Sequence, residues 1–102
     1  MKPKWQRARI LSAEKNYVRA VGREIWVKIG KPFETNGTDA ATQMPCKKTG
    51  PGFEVNIDGP GGRLGFIAAT RLELLARDEN DFADDVPLIP WETFLEECRR
   101  SR

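Results

Sequence analysis

Histidine is missing from this chain. The commonest general acid–base and the commonest nitrogen ligand for zinc are therefore unavailable. Cysteine is nearly missing: Cys46 and Cys98 are the only two. Two cysteines are too few for a disulfide framework, and neither sits in a CxxC pair, so two free thiols and no metal site are expected. No apolar run approaches the ~20 residues needed to span a bilayer. The start, Met1-Lys2-Pro3-Lys4-Trp5, is basic, but Gln6, Arg7 and Arg9 stand where a signal peptide needs an apolar stretch. A cytoplasmic location is the expectation, with no membrane partner and no cofactor. Internal repeats and low-complexity tracts are absent as well.

What is present is a chain of 102 residues, 39% hydrophobic and 31% charged. That is enough for one domain with a single modest core and a polar surface. The formal charge of +2 hides an asymmetry. Residues 1–77 carry 14 Lys/Arg against 7 Asp/Glu, whereas residues 78–102 carry 3 against 8. A basic body with an acidic tail attracts an anionic partner, or its own tail.

Period-two patterning predicts the strands. Ala8 and Ile10 share one face of residues 7–11, with Arg7 and Arg9 on the other. A second strand runs from about Val18 or Gly22 to Ile29, placing Ile25, Val27 and Ile29 inward and Trp26 outward. Gly30-Lys31-Pro32 stops it. Residues 30–52 read as a long loop, with turn chemistry at Asn36-Gly37 and a weak helical turn near 40–48. Phe53, Val55 and Ile57 alternate with outward Glu54 and Asn56. The run Asp58-Gly59-Pro60-Gly61-Gly62 turns the chain into a strand reaching Ala68, giving a hairpin. This glycine run opens a strand, not a helix, so it is no phosphate loop. A 3-10 turn is expected at Ala69–Arg71, and a short strand from Leu72.

Residues 78–85 have linker composition with one apolar anchor, Phe82. The segment Val86-Pro87-Leu88-Ile89-Pro90 is extended. A helix starts at Pro90, with Glu92 in its first turn and Arg99 and Arg100 in its last. Trp91, Phe94, Leu95 and Cys98 fall on one face. So short a helix does not persist alone. It docks on its own barrel or on a second subunit.

Gly62, Gly65, Phe66, Ile67, Leu72 and Glu73 follow the form Gly-x-x-Gly-apolar-apolar-Pro-x-x-x-apolar-Glu. This segment resembles the turn and closing strands of SH3 domains. The resemblance implies a mainly β fold: a five-stranded SH3-like barrel over residues 1–77, with a C-terminal extension over 78–102 ending in one short α-helix. It does not imply the proline-peptide groove. The SH3 proline is Ala68 here, the tyrosine is Arg71, and the paired tryptophans that stack polyproline ridges have no counterpart.

Enzymatic function is not expected. Cys46 and Cys98 have no histidine to activate them, and no spaced carboxylate pair stands out. Cys46 beside Lys47 and Lys48 has an electropositive setting that lowers a thiol pKa, but an inert loop cysteine is the expectation. The expected function is a non-enzymatic protein-interaction or self-assembly module, with a homodimer as one form. Its candidate surface is Trp5, Trp26, Trp91, Phe94 and Leu95. The alternative is nucleic-acid binding through the basic first third, where Tyr17 and the first two tryptophans are interleaved with cations. The contacts would then be Lys2, Lys4, Arg7, Arg9, Arg19, Arg23 and Lys28.

Overall fold

A computed structural model describes residues 2–12, 19–34, 50–58 and 64–100. The expected turns at 35–39 and 59–63, the weak helical turn near 40–48, Tyr17 and Cys46 lie outside the described residues.

The fold is mainly β. Among the described residues, six strands form one sheet: β1 (Trp5–Ile10), β2 (Glu24–Lys28), β3 (Gly52–Asp58), β4 (Leu64–Ala68), β5 (Leu72–Leu74) and β6 (Phe82–Ala83). Their pairing is antiparallel, in the order β4-β3-β2-β1-β5, with β6 also on β1. A 3-10 turn at Ala69–Arg71 joins β4 to β5, where the sequence predicts it. β1 shares its outer edge between two partners. Ala8 to Ile10 pair with β5, and Trp5 and Gln6 pair with β6.

The expected barrel is corrected on one point: the sheet is not closed. Its end strands are β4 on one side and β5 with β6 on the other. The open inner face is covered instead by α1 (Trp91–Arg100). Phe94 and Cys98 of that helix join Ala8, Ile10, Ile25, Val27, Val55, Ile57 and Leu72 in one core cluster. The helix therefore docks within its own chain. Phe94 is 2% exposed. Burying a side chain of that size contributes roughly 1.5–3 kcal/mol. An isolated ten-residue helix has no comparable source of stability.

The path to the helix depends on Asn56. Strand alternation places its side chain on the outer face, where a polar residue is expected to meet water. It is instead 1% exposed. Its Oδ1 accepts the Trp26 backbone N–H at 3.1 Å, and its Nδ2 donates to the Pro87 carbonyl at 3.1 Å. Its own carbonyl accepts the Ile89 N–H at 2.7 Å, and the Asp58 N–H donates to the Ile89 carbonyl at 2.8 Å. Residues 87–89 are thus fastened alongside β3, with Ile57 and Ile89 in a parallel bridge.

Two further expectations are corrected. Ile29 was expected inward with Ile25 and Val27, but it lies just beyond the end of β2 and is 43% exposed. The linker reading of 78–85 misses a 3-10 turn at Glu79–Asp81 and the strand β6. Gly52 answers to close packing. A Cβ there would overlap the Ile67 carbonyl and the Phe66 ring.

Phe94→Ala is expected to cost about 3–5 kcal/mol. That is a large part of the ~5–15 kcal/mol that holds a domain folded. Urea unfolding followed by tryptophan fluorescence measures it, and an unchanged midpoint would show the helix is not docked. Asn56→Ala should cost about 1–3 kcal/mol for each backbone group left without a partner. It should also accelerate hydrogen exchange at the Ile89 amide, whereas unaltered exchange there would disprove the fastening role.

Candidate functional site

The outer face of β1 and β2 carries an ion-pair network. Arg7 and Arg9 project from β1, and Glu24 and Trp26 from β2, because the intervening Ala8, Ile25 and Val27 are in the core. The Arg7 guanidinium lies 4.4 Å over the Trp26 ring, a cation–π contact. Arg7 and Arg9 also lie 3.6 and 3.7 Å from Glu24, and Arg9 pairs with Glu73 of β5 at 3.2 Å.

Asp81 closes this network from the C-terminal segment. Its side chain is 3% exposed and 3.6 Å from Arg7. Its Oδ2 accepts the Arg77 backbone N–H at 2.7 Å and Arg77 Nε at 3.1 Å, while Oδ1 accepts Arg77 Nη2 at 3.0 Å. Asp78 prepares the turn by accepting the Asn80 N–H at 2.8 Å. Arg77 reaches on to Glu24 at 3.2 Å. The Arg77 hydrogen bonds hold the Asp81 carboxyl down at about 2, against an ordinary 3.8. Those same bonds, to Asp81 first and Glu24 second, raise Arg77 above its usual value.

A second set of pairs joins the basic first third to the helix. Arg23 meets Glu97 at 3.2 Å, and Arg19 donates to the Arg99 carbonyl at 3.2 Å. A cation at the helix C-terminus complements the dipole there. Arg100 pairs with Glu96 at 3.1 Å along the helix, as the spacing predicts.

The candidate nucleic-acid contacts thus divide by residue type. Arg7, Arg9 and Arg23 are matched to carboxylates, and Arg19 to a helix carbonyl. Lys2, Lys4 and Lys28 are exposed and have no ion pair with any described residue. Lys31, which sequence reasoning passed over, belongs with them. Lys28, Lys31 and the Lys4 backbone lie at one end of the sheet. Trp5 stands opposite Lys28, and the Ile29 N–H donates to the Lys4 carbonyl at 2.8 Å.

The candidate interaction residues also divide. Trp5 and Trp26 are half-buried on adjacent strands of the outer face. Trp91 and Leu95 are half-buried on α1, and the Trp91 ring lies 6.0 Å from that of Phe94. Phe94 is a core residue and presents no accessible surface. Cys98 is a buried free thiol, and burial pushes its pKa up, so it packs as a small apolar group.

At the lysine end of the sheet is a cavity of about 200 Å³. Ile29, Phe33 and Phe53 wall it, Lys28 and Lys31 flank it, and Glu54 adds one carboxylate. Phe33 is 42% exposed, yet it is held firmly. Its backbone bonds both ways with Gly52, at 3.0 and 2.9 Å, and its ring meets Phe66 edge-on at 5.7 Å. The sequence signal for this site was Phe33 itself, a large apolar residue placed directly after the strand-stopping Gly30-Lys31-Pro32. Among the described residues, no group of three or more His, Cys, Asp or Glu gathers to hold a metal ion. No described helix is long and apolar enough to cross a membrane.

No protein-family model, no curated protein and no solved structure matches this chain.

The depressed Asp81 carboxyl predicts an acid dependence. Because the folded pKa lies below the unfolded one, the stabilisation is fully present above pH 4 and is lost as pH falls toward about 2. Asp81→Asn should therefore be less stable than the parent at neutral pH, with the gap narrowing from pH 4 to 2. Melting temperatures across that range measure it, and a constant gap would show that the carboxylate charge is not what matters.

Proposed function

We propose that this chain is a non-enzymatic protein-interaction module on an SH3-like scaffold left open between its fourth and fifth strands. The scaffold reading is supported by the order β4-β3-β2-β1-β5 and by the one-turn break before β5. Ala68 and Arg71 set it apart from the proline-peptide binders.

One observation carries the functional reading. The chain matches its outer-face arginines internally, whereas Lys28 and Lys31 have no ion pair among the described residues and lie beside two exposed apolar side chains, Ile29 and Phe33. Single exposed apolar residues are ordinary, whereas two lining one cavity with cations at its rim suit a partner. Self-association through the helix has less support, because Phe94 and Cys98 are already buried in the chain's own core.

Nucleic-acid binding is favoured by the same unmatched lysines. Against it, the guanidinium forks best suited to phosphate are engaged, and one face of Trp26 is taken by Arg7.

Two measurements separate these readings. Short single-stranded DNA and RNA oligomers should not be retarded by the chain in gels run near 0.15 M salt, where exposed charges are screened beyond about 8 Å. The immobilised chain should retain protein from nuclease-treated extract of its own cells. Retarded oligomers with no protein retained would replace this reading with the nucleic-acid one.

A further inference from the structure

We infer that the cavity at the end of β2 receives one bulky apolar side chain from an acidic peptide segment of a partner protein. This rests on the protein-interaction reading above and specifies its ligand.

Size gives the first argument. Sites for drug-sized ligands and cofactors run to about 300–1,000 Å³. The cavity here is about 200 Å³, too small for that class. A cavity of roughly 150 Å³ holds a benzene ring. A leucine or phenylalanine side chain is therefore the right scale.

The walls give the second. Ile29, Phe33 and Phe53 offer hydrocarbon, and of these Ile29 and Phe33 are substantially exposed. Covering them removes apolar surface from water, the main source of binding free energy at such contacts. A nucleobase fits these walls poorly. Its polar edges would lie against the hydrocarbon of Ile29, Phe33 and Phe53, and desolvating them there is costly.

Charge gives the third. Lys28 and Lys31 line the cavity, and the Ile29 amide beside it donates to the Lys4 backbone carbonyl. None has a carboxylate partner among the described residues. Acidic residues flanking the anchor would complement them and speed encounter. The site is also pre-organised, since Phe33 is pinned by two backbone bonds to Gly52 and by its contact with Phe66. Little ordering cost then remains on binding.

The test is titration of the ¹⁵N-labelled chain with the synthetic peptide Ac-Asp-Asp-Leu-Asp-Asp-NH₂. Amide shifts should concentrate at Lys28–Phe33 and at Phe53–Glu54. Replacing the peptide's leucine with serine should weaken binding about tenfold or more, the scale expected for one buried side chain. Replacing its aspartates with lysines should abolish binding, and added salt should weaken it. Phe33→Ala should lose the site. Because that change also touches Phe66, the exposed Lys31→Glu is the second variant, and it should weaken the peptide while leaving the melting temperature unchanged. Equal binding of the leucine and serine peptides, or shifts confined to other surfaces, would overturn the inference. So would oligothymidylate producing the same shifts at lower concentration. If the immobilised chain retains protein while the peptide leaves the cavity unperturbed, the interaction reading stands and this inference alone fails.

Discussion

The fold depends on a buried carboxamide. Asn56 sits where β3 leaves its last registered pairing with β2, at Val27 and Val55. Its side chain replaces the main-chain acceptor that Trp26 N–H would otherwise need, and its other end holds Pro87. One residue thereby satisfies a sheet amide and anchors a crossing segment. An apolar residue of similar size could do neither, and the stranded donor and acceptor would lie where water does not compensate them. Through residues 87–89 this contact sets where α1 begins, with the Phe94 N–H bonded to the Pro90 carbonyl at 3.0 Å. The helix then seals the sheet's inner face. Closure by helix takes the place of closure by strand pairing.

The consequence is that residues 78–100 are not an appendage. The acidic segment is bound to the basic body at three levels. Asp81 joins Arg77 and Arg7, Ala83 accepts the Lys4 N–H at 3.1 Å, and Glu97 meets Arg23. Exposed ion pairs taken singly contribute ~0.2–1 kcal/mol or nothing. Their arrangement matters more than their sum. Asp81 is sheltered, and its neighbours Arg77 and Glu24 come from segments far apart in sequence, so the network fixes the return of the chain across β1.

What was legible in the sequence is what local periodicity encodes. Phe53-Val55-Ile57, Ala8-Ile10 and Trp91-Phe94-Cys98 each announce their element because side-chain direction repeats every two or 3.6 residues. The 3-10 turn at Ala69–Arg71 reads as a short break between the apolar strand ending at Ala68 and the one beginning at Leu72. What was illegible was set by chain crossings. Asn56 reads as a solvent-facing residue because its burial comes from a segment about thirty positions away. Ile29 reads as core because its parity matches Ile25 and Val27, but the strand ends at Lys28 and parity carries no meaning beyond it. The two residues of β6 are too few to show any period. The cavity drew on both failures. Parity places Ile29 inward, and the loop reading of 30–52 leaves Phe33 without a partner in Gly52.

The division between arginine and lysine is the clearest clue to use. Arginine's planar fork suits fixed pairing with carboxylates and stacking on Trp26, which is how Arg7, Arg9 and Arg77 are employed. Lysine's compact, strongly hydrated charge on a flexible stem gains less from such pairing. A basic first third therefore need not be a basic surface. Counting charges over residues 1–31 overstates what a partner meets, because Arg7, Arg9 and Arg23 are paired with Glu24, Glu73, Asp81 and Glu97. What remains positive is narrower and lies beside exposed hydrocarbon. A long polyanion would be held better by a continuous track of cations, whereas a short cationic rim around one apolar cavity discriminates a single side chain with its neighbours.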